Sequence, residues 1–293
     1  MKIPNKFNRL GISVNEALPP LTFKALSAGS TIALNGNGNV DLSEIFIRRT
    51  NSWYSYSPGT TLTLNEGESV QFWNKKTALS FSSSDYAKFT MTGTINASGN
   101  TMSLLNYKSE ASYRCFSMLF QNCTALTTAP KLPATTLGTS CYYNMFAGCK
   151  FMTQGPSILP ATTLESSCYY QMFDNCNRMV NAPVISATTL ASSCCYHMFY
   201  YCTALQTASA LPATTLEKNC YQGMFMNCTA LQTAPELPNI TSSGNDAMAA
   251  MFQYCSKLNN IKVGFTSWSN VKTLSWVYSV SSSGTFYKPS ALP

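Results

Sequence analysis

Charge, histidine and long apolar runs are all scarce in this 293-residue sequence. Charged residues make up 11% of the chain, and the nineteen basic residues behind its net charge of +7 are scattered along it. Nucleic-acid binders usually gather positive charge on one face, so this distribution argues against a nucleic-acid partner. No run approaches the roughly 18 apolar residues that span a bilayer, so no membrane span is expected.

Few residues could act in catalysis. The chain has one histidine, His197, and its twelve Asp and Glu residues show no spacing that repeats or converges on a pocket. General acid–base catalysis needs a positioned histidine or a carboxylate pair. We therefore expect a protein that is not an enzyme and has no cofactor.

The first residues carry no recognisable secretion signal. They are basic at Lys2, Lys6 and Arg9, but they contain no apolar h-region and no small-residue cleavage pattern. We expect either that a signal was removed or that the protein reaches the outside by another route, such as assembly into a virion released by lysis.

A repeat of 26 or 27 residues dominates the sequence from about residue 109. Such self-similarity typically marks a solenoid. Each copy has a phenylalanine, which we number position 0, a Cys at +3 and, except in the last copy, a Cys at −5. The six phenylalanines are Phe120, Phe146, Phe173, Phe199, Phe225 and Phe252.

The apolar positions within a copy predict a short helix. One stripe of a helix would contain the positions −5, −4, −1, 0 and +3, which are occupied by Cys, Tyr, Met, Phe and Cys. Polar residues before it are N-cap candidates, as at Thr139-Ser140 and Lys218-Asn219. The segment after it, such as Leu126 to Pro133, alternates and ends in proline, so we predict one short strand there.

The repeat resembles a known family. The pattern Met-Phe-x-x-Cys-Thr-Ala-Leu-x-Thr-Ala-Pro-x-Leu-Pro, clearest at 198–216 and 224–238, is similar to the BspA-like, or Treponema-type, leucine-rich repeat. The resemblance covers about residues 110–262, with a longer unit and Met-Phe where the family has Ala-Phe. It implies a right-handed solenoid for adhesion or recognition, on bacterial surfaces or in phage virions, without catalytic residues.

Composition divides the rest of the chain. Residues 1–21 predict an extended arm, and residues 22–105 a small β-sandwich of short alternating strands separated by Gly/Asn turns. Residues 106–262 are the predicted leucine-rich-repeat-like solenoid of about six repeats, and residues 263–293 a C-terminal cap. The predicted fold class is therefore α+β.

Twelve cysteines leave three alternatives open. Metal sites favour Cys-x₂₋₄-Cys pairs, whereas the spacing here is Cys-x₇-Cys, so no metal is expected. Disulfides between neighbouring copies are a second option, although ladder positions aim their Cβ atoms the same way. Buried free thiols are the favoured option. Cys195, which takes the tyrosine position beside Cys194, is predicted to be only partly buried.

The outward positions −3, −2, +1 and +2 are rich in Tyr, Asn and Gln. Rigid aromatics with hydroxyls are favoured at recognition surfaces, where they could stack on sugars or contact a protein. The alternative is that the rings only pack between copies. The candidate binding residues are Tyr143, Tyr170, Tyr196, His197, Tyr200 and Tyr201.

These observations predict a surface-exposed structural and recognition protein. The leading hypothesis is a phage virion decoration, head-fibre or tail-associated protein that presents its repeats to a host glycan or a partner protein. A bacterial cell-surface adhesin is the alternative. The N-terminal arm would attach the protein to other virion or cell-surface proteins, and homo-oligomerisation is left open.

Overall fold

The computed structural model describes residues 19–80 and 82–293, so the predicted arm falls, over residues 1–18, outside the described residues. In the described part, regular structure is almost entirely short strand, with 3-10 turns at Thr101–Leu105 and Trp268–Asn270. The strands are β1 Leu21–Ala25, β2 Ser30–Asn37, β3 Ile45–Arg48, β4 Trp53–Ser55, β5 Leu62–Leu64, β6 Ser69–Asn74, β7 Tyr86–Thr92, β8 Ile95–Ser98, β9 Glu110–Ala111, β10 Leu126–Thr128, β11 Thr136–Leu137, β12 Ile158–Leu159, β13 Val184–Ile185, β14 Thr215–Leu216, β15 Ser242–Ser243, β16 Asn260–Lys262 and β17 Thr285–Tyr287.

Two sheets form the N-terminal part of the chain. Their strand orders are β10-β8-β1-β6-β3-β4 and β5-β2-β7. Alternation along β1 buries Leu21, Phe23 and Ala25, and the Phe23 ring meets that of Phe89, from the other sheet, at a centroid distance of 4.9 Å. Strand β10 belongs to the first repeat and pairs with β8 in parallel. The sheet thus crosses the boundary placed between 22–105 and 106–262, and the division into domains stays a prediction.

Each repeat contains a ribbon of turns where a helix was predicted. Amides at −5, −3, −1, +1 and +3 donate to the carbonyl three residues earlier, as Cys123 N–H does to Phe120 O at 3.0 Å. The amides between them donate to the following repeat, as Phe120 N–H does to Met145 O at 2.9 Å. Positive φ recurs at −6, −2 and +2, for example at Ser140, Asn144 and Gly148. The ribbon therefore has a period of four residues and lacks the i→i−4 bonds of an α-helix.

The predicted fold class, an α+β chain with a right-handed leucine-rich-repeat-like solenoid, is wrong. In residues 19–80 and 82–293 helical structure is limited to the two 3-10 turns. Outside the two N-terminal sheets the strands form small separate pairs, β9 with β11, β12 with β13, β14 with β15, and β16 with β17. The helix was inferred from side chains at −5, −4, −1, 0 and +3. These positions span only nine residues. Over that length, a turn period of four residues places these side chains on one side of the backbone just as a helical period of 3.6 does.

The predicted helix caps were also wrong, whereas the predicted strand is present in most copies. The N-cap candidates cap no helix, because Ser140, Ser167, Ser193 and Asn219 occupy the left-handed −6 position of the ribbon. The predicted short strand is present as β10 in the first repeat, as β12 and β13 in the second and third and as β16 in the sixth, whereas the fourth and fifth contribute only β-bridges there. Proline and the exposed edges keep these segments short.

Phenylalanine rings run in one line through the core of the repeats. The line begins at Phe89 in β7, whose ring stacks on Phe120, and whose N–H donates to Leu119 O at 2.8 Å. Neighbouring centroids are 5.2–5.7 Å apart along the series Phe89, Phe120, Phe146, Phe173, Phe199, Phe225 and Phe252. All are buried. One continuous core therefore joins the N-terminal sheets to the repeats.

All twelve cysteines are free and buried. Each thiol at +3 donates to the carbonyl of a phenylalanine one step back in the line, at 3.0–3.3 Å, as Cys176 does to Phe146 O. Burial raises the pKa of the Cys123 and Cys255 thiols to about 12. Cys195 has no exposed surface, so the prediction that it is partly buried was wrong. Its small side chain lies between copies whose −4 residues, Tyr169 and Tyr221, are also buried.

Thiol titration should follow this burial. Because reaction requires an accessible thiolate, we expect almost no reaction with Ellman's reagent in the native chain at pH 8. After denaturation in guanidinium without reductant, twelve thiols should react. A denatured count well below twelve would mean that some of these sulfurs are paired in disulfides.

A seventh copy of the ribbon follows the last recognisable repeat. Alternate amides of the sixth copy donate to carbonyls of residues 272–278, as Phe252 N–H does to Trp276 O at 2.7 Å. The other donors are the amides of Met248, Ala250 and Tyr254. Positive φ recurs at Ser275 and Ser279. These hydrogen bonds align Trp276 with position −1, which is methionine in most copies. Valines stand at positions 0 and +3, where the other copies have phenylalanine and cysteine. The predicted cap, 263–293, thus contains another copy without the sequence signature.

Candidate recognition surface

The six candidate residues lie side by side on one outward face. Ring centroids are 4.8 Å apart between Tyr143 and Tyr170 and 4.7 Å between Tyr170 and Tyr196. The line then turns along the fourth repeat. Its centroid distances there are 4.1 Å between Tyr196 and His197, 4.7 Å between His197 and Tyr200, and 4.6 Å between Tyr200 and Tyr201. We call these six residues the aromatic row. That they bind a partner stays a prediction.

Backbone pairing between repeats sets the spacing of the row. The carbonyls of Tyr143, Tyr170 and Tyr196 at −3 accept from the −2 amide of the preceding copy, at 2.9 Å in each case. Neighbouring backbones joined in this way lie about 4.8 Å apart, which matches the separation of the stacked rings. Identical side chains at one ribbon position are therefore brought into face-to-face contact.

His197 connects the tyrosine at position −3 of its copy, Tyr196, with the tyrosine at position +1, Tyr200. It occupies the left-handed −2 position with φ of 50°, and its ring lies between Tyr196 and Tyr200. A Cβ atom on Gly223, the −2 residue of the next copy, would overlap Cδ2 and Nε2 of His197. The glycine therefore provides the space for the imidazole. Burial lowers the pKa of His197 and so favours the neutral imidazole.

A charged residue lies near each end of the row. The Arg114 guanidinium lies 5.3 Å from the ring centroid of Tyr143, in cation–π geometry. Near the other end, Asp174 acts electrostatically on Tyr200. Burial raises the pKa of the Asp174 carboxyl to about 6, although a 2.8 Å hydrogen bond donated by Asn175 opposes this shift.

Neither charged residue is among the binding candidates chosen from the sequence. Arg114 lies at −6 of the first copy, a ribbon position that holds Ser, Asn or Asp in the second to sixth copies. Asp174 lies at the same +1 position as Tyr200. A comparison of the copies position by position would have singled out both, but it would not have shown that they approach the tyrosines.

The row offers ring edges and hydroxyls to a partner and not ring faces. Tyr170 is stacked on both sides, with interplanar angles of 11° and 10°. A sugar that lies flat on an aromatic ring needs a free face, so the stacking expected from the sequence is blocked along most of the row. Tyr201 differs because it stands at 81° to Tyr200 and is 40% exposed.

His197 lies among aromatic rings. Its ring contacts are tyrosines, and Asp174 makes its hydrogen bond with Asn175. Within residues 19–80 and 82–293, no group of three or more His, Cys, Asp or Glu side chains could hold a metal ion. The same described residues contain no helix with the length and apolar character to cross a membrane.

Asp174 makes a testable contribution to stability. Its carboxyl ionises near pH 4 when unfolded and near pH 6 when folded, so its ionisation costs stability as the pH rises between these values and the cost is full above pH 6. After allowance for solvent screening, we expect Asp174→Asn to raise the free energy of unfolding by about 1 kcal/mol at pH 7.5. At pH 3.5 the two proteins should be equally stable in urea unfolding. A gain that is independent of pH would contradict this origin.

Comparisons of the chain with family models, with curated proteins and with solved structures found no match.

Proposed function

We propose that this chain is a non-enzymatic recognition protein whose repeats display the aromatic row to a partner protein. The observation that carries the proposal is the unbroken contact between six aromatic side chains on one outward face. Stacked rings lose little conformational entropy on binding, because their rotamers are already restricted. Such an array suits recognition better than isolated, mobile side chains would.

The geometry favours a protein over a glycan as the partner. The stacked faces leave phenolic hydroxyls and ring edges for contact, which suit hydrogen bonds to a polypeptide. Arg114 and Asp174 add opposite charges towards the two ends of the row. Opposite charges at a defined separation favour one orientation of a partner.

The setting we propose is the surface of a phage virion, in line with the resemblance to BspA-like repeats and the reduced cysteines. Buried free thiols suit assembly in a reducing cytosol. Mass spectrometry of purified phage particles and of cell-envelope fractions from the native source tests this proposal. Recovery with the particles would support it, whereas recovery in the envelope fraction alone would favour the bacterial adhesin.

Photo-crosslinking tests the row directly. With p-benzoylphenylalanine at position 201 or 170, we expect particles to yield one cross-linked partner protein. The same group in place of Tyr54, which is 55% exposed in β4, is the matched control and should not yield it. Equal cross-linking from all three positions would contradict a specific surface.

A triple variant, Tyr143→Ser, Tyr170→Ser and Tyr196→Ser, separates binding from packing. If the row recognises a partner, the variant should lose that cross-link from position 201 while its native thiol count stays near zero. A glycan array probed with the unmodified chain covers the other ligand class. If the unmodified chain binds a defined glycan and the triple variant does not, the partner of the aromatic row is a sugar and not a protein.

A further inference from the structure

The C-terminal end of the repeats carries a row of amides without acceptors. In the first six copies, the amides at −2, 0 and +2 donate to carbonyls of the copy that follows. The equivalent amides of the seventh copy belong to Ser275, Val277 and Ser279, and no backbone or side-chain acceptor among the described residues meets them. Within the described residues, this end of the repeats is therefore an open edge of hydrogen-bond donors.

Apolar side chains surround this open edge. Leu274 is 71% exposed and Tyr278 is 57% exposed, and both belong to the seventh copy. In β17, which pairs with β16 on one side, all three residues are exposed, including Phe286 and Tyr287. Terminal repeats usually carry a polar outer face because nothing else covers them. An apolar outer face at this end indicates that a partner covers it.

All the charged side chains of the same segment are positive. Residues 247–293 contain Lys257, Lys262, Lys272 and Lys288 but no Asp or Glu. Lys262 forms an ion pair with Glu236 of the preceding copy at 2.9 Å. The segment therefore favours a partner with negative charge.

A second copy of this chain does not fit the open edge. Two such ends facing each other would bring donors against donors and lysines against lysines. A head-to-tail arrangement needs a free row of carbonyls at the other end of the repeats. There, the N–H group of Phe89 already donates to Leu119 O, the middle one of the three carbonyls that such a contact would use, and Ser117, which carries the first of them, has no exposed surface.

We propose that the C-terminal end of the repeats binds an extended, acidic segment of a partner protein. Its carbonyls accept from Ser275, Val277 and Ser279, and its apolar side chains cover Leu274 and Tyr278. Its carboxylates interact with the lysines of residues 247–293. This is strand addition to an open edge, in which main-chain hydrogen bonds supply affinity and side chains supply specificity. The site is separate from the aromatic row and does not depend on the function proposed for it.

A pair of labelled peptides tests the proposal on the full-length chain. One alternates Glu and Val and the other alternates Lys and Val, with the same length and fluorophore. In fluorescence anisotropy we expect the acidic peptide to bind at least about tenfold more tightly than the basic one, and 1 M NaCl should weaken its binding strongly. Equal binding of the two peptides, or no binding of the acidic one, would overturn the proposal.

Hydrogen exchange locates the bound peptide. In the free chain the amides of Ser275, Val277 and Ser279 should exchange quickly, whereas those of Ala250 and Phe252 should be protected. The acidic peptide should slow exchange at the first three. Protection that develops only elsewhere would place the peptide at another surface and overturn the proposal. So would concentration-dependent dimerisation that protects these amides, because the occupant would then be a second copy.

Substitutions complete the test. Lys272→Glu and Leu274→Asp should each weaken binding of the acidic peptide about tenfold or more. Ile158→Asp, at a residue that is 47% exposed in β12, is the matched control and should leave binding unchanged. The native thiol count of each variant reports whether it has folded. Folded Lys272→Glu and Leu274→Asp variants that bind like the unmodified chain would contradict the proposed site.

Discussion

Replacement of Gly223 with alanine is expected to lower the free energy of unfolding by about 3 kcal/mol. Part of the loss comes from placing a Cβ atom on a residue with φ of 56°. The larger part comes from overlap between that Cβ atom and the His197 imidazole, which cannot move aside because it is stacked between Tyr196 and Tyr200. Urea unfolding at pH 7.5 measures the effect.

The chain contains a matched control for the backbone contribution. Ala250 occupies the same −2 position in the sixth copy with φ of 54°, so Ala250→Gly should stabilise the chain by up to about 1 kcal/mol. In a His197→Ser background, Gly223→Ala should cost only about 1 kcal/mol. If it costs as much there as with His197 present, the imidazole does not lie over Gly223, and the path of the aromatic row through His197 would be wrong.

Replacement of Phe89 with alanine is expected to destabilise the whole chain by about 4 kcal/mol. Phe89 is fully buried, and its ring contacts Phe23 and Phe72 of the other N-terminal sheet as well as Phe120 of the first repeat. The cavity would therefore remove packing from both parts of the core. Because that core is continuous, we expect both parts to unfold together and at lower denaturant concentration.

Two probes distinguish this outcome from independent unfolding. Thiol labelling reports only on the repeats, since every cysteine lies between residues 115 and 255. Hydrogen exchange in β1 and β6 reports on the N-terminal sheets. Both midpoints should shift by the same amount in Phe89→Ala, while Tyr54→Ala, at a surface ring, should shift neither appreciably. A shift in only one probe would show that the two parts are separate folding units.

The sequence predicted which residues of a repeat are buried but not how its backbone runs. Met172, Phe173 and Cys176 are buried as the repeat pattern indicated. Their spacing was assigned to a helix because a helical period and a turn period of four residues coincide over so short a segment. The Asn or Gly residue at +2 in four of the six copies was the signal that could have separated them, since these residues tolerate positive φ.

The aromatic row shows the same division. Tyr143, Tyr170 and Tyr196 could be selected from the sequence because they recur at one position of the repeat. The approach of Arg114 to Tyr143, and the turn of the row at His197 towards Tyr200, depend on which side chains the ribbon brings together. The coverage of the ring faces, which favours a protein partner over a stacked sugar, also depends on that packing.

By itself the sequence determined the register of this protein, meaning which side chains recur and are buried, because each copy must bury the same apolar positions against its neighbours. The tertiary structure alone decided the backbone conformation and both ends of the repeats. Turns replaced the helix because alternate amides bond to the neighbouring copy, a partner that no single copy contains. Neither Phe89 at one end of the repeats nor the seventh copy at the other carries the repeat signature. Both ends are defined by the shape and hydrogen bonding of the adjoining copy, which do not require particular residues.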